Sequence, residues 1–274
     1  MLRRMDDHEQ RLAEIITDGV SGASELTARA SALLRDWALA AGCEAAVAAA
    51  ARIRRAHPSM AQLINLTCDV EALGGDTERL LAFLADADAG RKEREMGAVR
   101  HAAAAVGDCA RVLTLSRSRL VEMMLHALPR QPAVVIGESR PRREGVTQAR
   151  RLAAAGFPTT LVVDAALPAL VEPGDVAVIG CDALTRGGVI NKIGSYPLAL
   201  ACRERGVRLI ALCPSDKFLA ADRAAMFAIG ERPATELGAD LDPRLRVINR
   251  YFETIPLALF SLIIGENGTF KNEK

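Results

Sequence analysis

The sequence predicts an α/β protein in which a helical N-terminal domain, residues 1–106, precedes a doubly wound, mostly parallel sheet over residues 107–274. Three observations carry that expectation. Up to about Ala105 the chain is rich in Ala, Leu, Glu and Arg, residues that lose little on entering a helix. From Gly107 onward, short continuous apolar runs appear, of the kind that fills strands buried on both faces. Helical segments alternate with those runs, which is the pattern of a parallel sheet.

Four helices are expected in the first part. "SGASELTARASALLRDWALAAG" carries Ser24 and Thr27 near its start and Gly42 at its end, the residue types that cap helices. "EAAVAAAARIRRA" stops before Pro58, "SMAQLINLTCDVEALGG" ends on Gly74 and Gly75, and a long segment from Asp76, its expected N-cap, runs to Val106. The expected strands are "CARVLTLS", "PAVVIGES", "TTLVVD", "DVAVIGCD" and "VRLIALCP". The helices between them are "RSRLVEMMLHAL", "REGVTQARRLAAAG" and "KIGSYPLALACRERG".

Bulk properties narrow the function. A chain of 274 residues with net charge +1 has no basic field for nucleic acid. No apolar run reaches the roughly 18 residues of a membrane span, and the start has no apolar export signal, so a cytoplasmic protein is expected. None of the six cysteines forms a CxxC pair, which argues against zinc and for free thiols. GxGxxG is absent as well, so neither a metal nor a cofactor is expected.

In open parallel sheets, ligands bind outside the carboxyl ends of the strands. That rule selects Ser116-Arg117-Ser118, Glu138-Ser139-Arg140, Asp164, Asp182 and Ser215-Asp216-Lys217. Asp182 directly follows "AVIGC", where partial desolvation would bring a carboxyl toward the range of a general acid or base. Asn191 and Lys192 read as the opening of a helix, where backbone N–H groups, an amide and an ammonium favour phosphate. Arg117 and Arg140 offer two more cations. Plainer roles stand beside these: Asp182 as a turn or helix cap, Lys192 as a solvated surface lysine, Arg140 as a partner of Asp164 or Glu138. The histidines, His8, His57, His101 and His126, all fall in helices or a helix turn, which argues against a Ser-His-Asp site.

"GCDALTRGGVINKIGSYPLAL" resembles the signature of the family that holds the alpha, beta and delta subunits of translation initiation factor 2B, methylthioribose-1-phosphate isomerase and ribose-1,5-bisphosphate isomerase. "GESRPRREGVTQARRLAAAGFPTTLVVD" resembles its "ExRPxxqG…A..L...GIpvt.i.D" block, and "NRYFETIP" its "NpxFDxTPP" block. "LCPSDKF", holding Lys217, resembles a segment ending in Tyr-Lys-Phe. "SGASELTARASALL" and "AHPSMAQLINL" resemble N-terminal blocks, so the likeness spans nearly the whole chain. It implies an N-terminal helical domain, a Rossmann-like C-terminal domain and dimers or higher assemblies built through the latter, a dimer being expected here. The apolar run "IPLALFSLII" is expected to supply surface for that dimer.

The resemblance also implies roles. Asp182 matches the isomerases' catalytic aspartate, and Asn191 and Lys192 match their phosphate-binding pair. Ser116 stands where those enzymes have a cysteine, and a serine hydroxyl without an adjacent base is a poor proton carrier. Their Arg-Gly-Ala phosphate block is here Ser21-Gly22-Ala23, leaving Gly22 and Ala23 as ligand contacts. Their Arg-Pro-Thr block is here His57-Pro58-Ser59. The expected function is therefore binding of a phosphorylated sugar or nucleotide with weak or no isomerase activity. The alternative is an aldose–ketose isomerase acting on ribose 1,5-bisphosphate or methylthioribose 1-phosphate.

Overall fold

The computed structural model describes residues 2–238, 240–242 and 244–270, with side chains from residue 7 onward. The chain forms two compact units: Met1–Glu93 with Asp216–Ala228, and Arg94–Ser215 with Ile229–Lys274.

The first unit is helical: α1 (Leu2–Thr17), α2 (Ala23–Ala41), α3 (Cys43–Ala56), α4 (Ala61–Leu73) and the beginning of α5 (Thr77–Val106). Ala46, Ala49, Ala50 and Ile53 recur along one face of α3 and bury against α2 and α4 around Leu33, Leu34, Trp37, Leu63 and Leu66. Asp76 caps α5 as expected, its carboxylate accepting the Arg79 N–H at 3.1 Å. Gly42 is the C-cap of α2 as expected, whereas the expected N-terminal cap is corrected. Its N-cap is Gly22, with no side-chain cap, and the Thr27 hydroxyl instead donates to the Ala23 carbonyl within the helix. The turn before α2 is organised by Asp18, whose Oδ1 accepts the N–H groups of Val20 and Ser21 at 2.9 and 2.8 Å. Residues Asp216–Ala228 pack with these helices: the Asn65 amide donates to the Asp216 and Phe218 carbonyls, and Arg223 pairs with Asp69.

The second unit is built on a seven-stranded sheet. The five expected strands are β1 (Arg111–Leu115), β2 (Ala133–Gly137), β3 (Thr159–Val162), β4 (Val176–Ile179) and, later in the chain, β7 (Arg208–Leu212). Helices α6 (Arg119–His126), α7 (Glu144–Ala154) and α8 (Ser195–Glu204) lie between them where expected. Two short 3-10 turns, not a helix, connect β3 to β4. A second sheet, unforeseen in the sequence, joins the hairpin β5 (Ala183–Thr185) and β6 (Gly188–Lys192) to β8 (Phe252–Ile255). The main sheet ends with β9 (Leu262–Gly265), parallel to β7, and the antiparallel β10 (Gly268–Thr269).

Alternate residues of the central strands feed two different cores. Val112, Val178, Ile210 and Leu212 pack with the last turns of α5 and with α6 and α7. Leu113, Leu115, Ala177, Ile179, Leu209 and Ala211 pack with α8 and the small sheet. This is why these strands read as continuous apolar runs: both faces are covered.

"IPLALFSLII" divides between core and surface. Ile255, Leu259, Ile263 and Ile264 are buried in those two cores, while Pro256, Ala258 and Ser261 are exposed. The six cysteines are free. Among the described residues no helix is long and apolar enough to cross a membrane.

Candidate functional site

The strand order β10-β9-β7-β4-β1-β2-β3 places β1 between β4 and β2. The chain therefore runs one way from β1 through β2 to β3 and the other way from β4 through β7. The crevice at such a switch point opens where the carboxyl ends of β1 and β4 part. Ser116, Arg117 and Ser118 follow β1 there; Gly180, Cys181 and Asp182 follow β4. The two loops touch: a Cβ at Gly180 would lie 2.9 Å from the Ser118 hydroxyl, which itself caps α6 by accepting the Val121 N–H. Only glycine lets the loops approach this closely.

Backbone strain gathers at the same edge. Ser116, Ser139 and Arg143, in the loops after β1 and β2, have φ of 63°, 65° and 59°, the left-handed region that side chains disfavour. A chain of hydrogen bonds holds them. Asp164, just after β3, accepts the N–H groups of Ser139 and Arg140, each at 2.7 Å. The buried Ser139 hydroxyl accepts the Ser116 N–H at 2.7 Å. Three successive loops are thus linked laterally along the rim.

Asp182 enters the β5–β6 hairpin, its N–H donating to the Ile190 carbonyl at 2.9 Å. Two residues of β6 complete the group, and their placement corrects the sequence reading. Asn191 and Lys192 close a strand; the helix, α8, begins only at Ser195. The N-terminus of α8 is already filled, because Glu253 Oε1 accepts the N–H groups of Gly194 and Tyr196 at 2.7 and 2.8 Å. An anion at this edge must therefore meet side chains, not that helix end. The Asn191 amide has two acceptors on one side, so its nitrogen is assigned there, 3.2 Å from both the Gly180 carbonyl and Asp182 Oδ2. Its oxygen faces the Ser195 hydroxyl at 2.9 Å. That hydroxyl also lies 2.6 Å from the Lys192 carbonyl, so its single proton is shared between two acceptors.

Lys192 is not a surface lysine. Its side chain is 4 % exposed, and its ammonium bonds both carboxylate oxygens of Glu144 at 3.1 and 3.0 Å. The ammonium also lies 4.8 Å from the centre of the Tyr251 ring, within cation–π range. Arg232 sits over the same ring at 4.9 Å. The Tyr251 hydroxyl donates to Glu236, which also accepts the Asn249 amide. Burial, then the Glu236 hydrogen bond, pushes the Tyr251 phenol up to about 12. Burial alone would raise the Glu236 carboxyl, but the Tyr251 and Asn249 hydrogen bonds hold it below the usual range.

The remaining candidates divide. Arg117 is exposed after β1. Arg140 is exposed too, but it pairs with neither Asp164 nor Glu138 through its guanidinium, which donates to the Leu237 carbonyl at 3.2 Å; Glu138 pairs with Arg143. Gly22 and Ala23 begin α2 in the helical unit, to which Lys217, within Asp216–Ala228, also belongs. Sequence reasoning did not single out Glu144, Tyr251 or Glu253. A glutamate standing where the family block quoted above has a glutamine was the available signal for Glu144.

Comparison with known proteins agrees with this architecture. Residues 45–272 match the Initiation factor 2 subunit family. Ribose 1,5-bisphosphate isomerase of Archaeoglobus fulgidus is 32% identical over 152 residues, 54% of this chain and 49% of that protein. Methylthioribose-1-phosphate isomerase of Gemmatimonas aurantiaca is 31% identical over 277 residues, 90% of this chain and 74% of its own length. The match thus spans about half of the first relative and three quarters of the second. The crystal structure of the Pyrococcus horikoshii OT3 translation initiation factor eIF-2B superposes with a TM-score of 0.82 at 23% identity, covering 97% of this chain and 98% of that one. With the family matched across most of its length, the chain belongs to the initiation factor 2 subunit family.

Proposed function

We propose that this protein binds a phosphorylated small molecule, a sugar phosphate or nucleotide, in the crevice between the β1 and β4 loops, and isomerises ribose phosphates weakly or not at all. The observation that supports the reading is the Asn191 amide set between the Gly180 carbonyl and Asp182 at the switch point, with Lys192 next to it on β6 and Arg117 on the loop after β1. An amide with an ammonium on the next residue suits a phosphoryl group or a sugar hydroxyl. Arg140, in the loop after β2, is proposed as a further ligand contact.

The case against efficient turnover rests on Ser116. Aldose–ketose isomerisation needs two groups over the reacting carbons, and Asp182 supplies one. None of the four histidines falls in the loops after β1, β2 or β4, so no imidazole from these loops activates the Ser116 hydroxyl. The second reading, an active isomerase on ribose 1,5-bisphosphate or methylthioribose 1-phosphate, is favoured by the retained Asp182 beside Asn191 and by the names of the two relatives. We further propose a homodimer in the cytoplasm; six free cysteines support a reducing compartment. Exposed Leu237, Leu241, Leu245 and Ile248 offer apolar surface for association.

Thermal-shift and calorimetric titration with ribose 5-phosphate, ribose 1,5-bisphosphate, methylthioribose 1-phosphate and nucleoside monophosphates tests binding. Saturable binding that Asn191→Ala weakens is expected. NMR of the two isomerase substrates then separates the readings. Fast turnover abolished by Asp182→Asn makes the protein an isomerase, whereas turnover only in Ser116→Cys supports a binding protein.

A further inference from the structure

The ammonium proposed to receive a phosphoryl group already has an anion. Lys192 has three N–H donors. Two face Glu144 Oε1 and Oε2, and the face of Tyr251 lies beside the head group. A dianion arriving with Glu144 in place would put three negative charges around one buried cation.

The two partners are unequally free to move. Lys192 is the last residue of β6, which is hydrogen-bonded to β5 on one side and to β8 on the other, and its side chain is buried. Glu144 is the first residue of α7, and its side chain is 30 % exposed. A carboxylate in the first turn of a helix keeps the favourable helix dipole when it swings toward water. Releasing Glu144 is therefore less costly than releasing Lys192.

We propose that Glu144 is the resident counter-ion of Lys192 and is displaced when a phosphoryl ligand binds, so that this one carboxylate sets the affinity of the site for dianions. The inference rests on the phosphate site proposed above and adds to it a competitor built into the chain. Glu144 would hold the buried ammonium neutralised between binding events and keep the affinity for free phosphate low.

Calorimetry on the full chain at fixed ionic strength tests this, with inorganic phosphate and ribose 5-phosphate as probes. Glu144→Gln, which keeps the shape and removes the charge, is expected to bind both at least about ten-fold more tightly than wild type. The gain is expected to vanish when Lys192→Met is added. Glu144→Asp, one methylene shorter, guards against a misfolded glutamine variant and should also tighten binding. Equal or weaker binding by folded Glu144→Gln or Glu144→Asp overturns the counter-ion and makes Glu144 a neutral bystander or a ligand contact. If Lys192→Met alone abolishes binding while Glu144→Gln changes nothing, the phosphate site stands and this inference falls. No binding by wild type or by either Glu144 variant overturns both.

Discussion

Glu253 caps α8 through Gly194: its carboxylate, carried by the neighbouring strand β8, lies 2.7 Å from the Gly194 nitrogen and 2.8 Å from that of Tyr196. The tie joins the small sheet to the helix that follows the Asn191-Lys192 strand. Glu253→Ala leaves two N–H groups without this acceptor and should cost roughly 1–2 kcal/mol in urea denaturation. A loss of less than a few tenths of a kcal/mol would show that water replaces the carboxylate at no cost.

Asp18 gives the helical unit an acid-sensitive turn. The N–H groups of Ser21 and Val20, opposed by some desolvation and helped by Arg29, hold its carboxyl well below the usual carboxylate range. A carboxyl depressed in the folded state stabilises fully above its unfolded value of about 4 and loses that contribution progressively as pH falls from there through the lower folded value. The melting temperature of Asp18→Asn should therefore lie below wild type at neutral pH, and the gap should narrow from about pH 5 downward. A gap independent of pH refutes the assignment.

Gly145 is required for close approach. A Cβ there would meet the Gly137 carbonyl oxygen at 1.9 Å, a distance no side chain tolerates. Gly145→Ala should cost roughly 2–3 kcal/mol by forcing α7 away from β2, and it should move Glu144 off Lys192. Chemical denaturation measures the first effect. A variant as stable as wild type would mean that the start of α7 is free to shift.

Tyr251 makes a prediction at alkaline pH. Its phenol is pushed up to about 12 by burial and by the Glu236 hydrogen bond, so the fold favours the neutral form. That stabilisation is complete below the ordinary tyrosine value of about 10 and is lost as pH rises from there toward 12. The chain has two tyrosines, so ultraviolet titration of Tyr196→Phe isolates Tyr251. Its midpoint should lie near 12 and fall in Glu236→Gln; a midpoint near 10 in both proteins counts against the buried hydrogen bond.

Five of the seven strands of the main sheet and the helices α2 to α8 were legible in the sequence because each is a local pattern. Runs such as "DVAVIG" are apolar on both faces, and segments such as "EAAVAAAARIRR" repeat at the helical period. Asp182 was legible for the same reason, as the acid at the end of such a run. What the sequence could not order was the sheet. Only the tertiary structure puts β1 beside β4 and so brings Ser118 against Gly180 at the switch point. Lys192 shows the difference most sharply. By residue type it belongs in solvent, and by position it read as the start of a helix. It becomes a buried strand residue because β8, some sixty residues later, pairs with β6 and covers it with Tyr251, while α7, some fifty residues earlier, brings Glu144 to its charge. Burial of a cation depends on a counter-charge arriving from elsewhere in the chain, and no local pattern records that arrival.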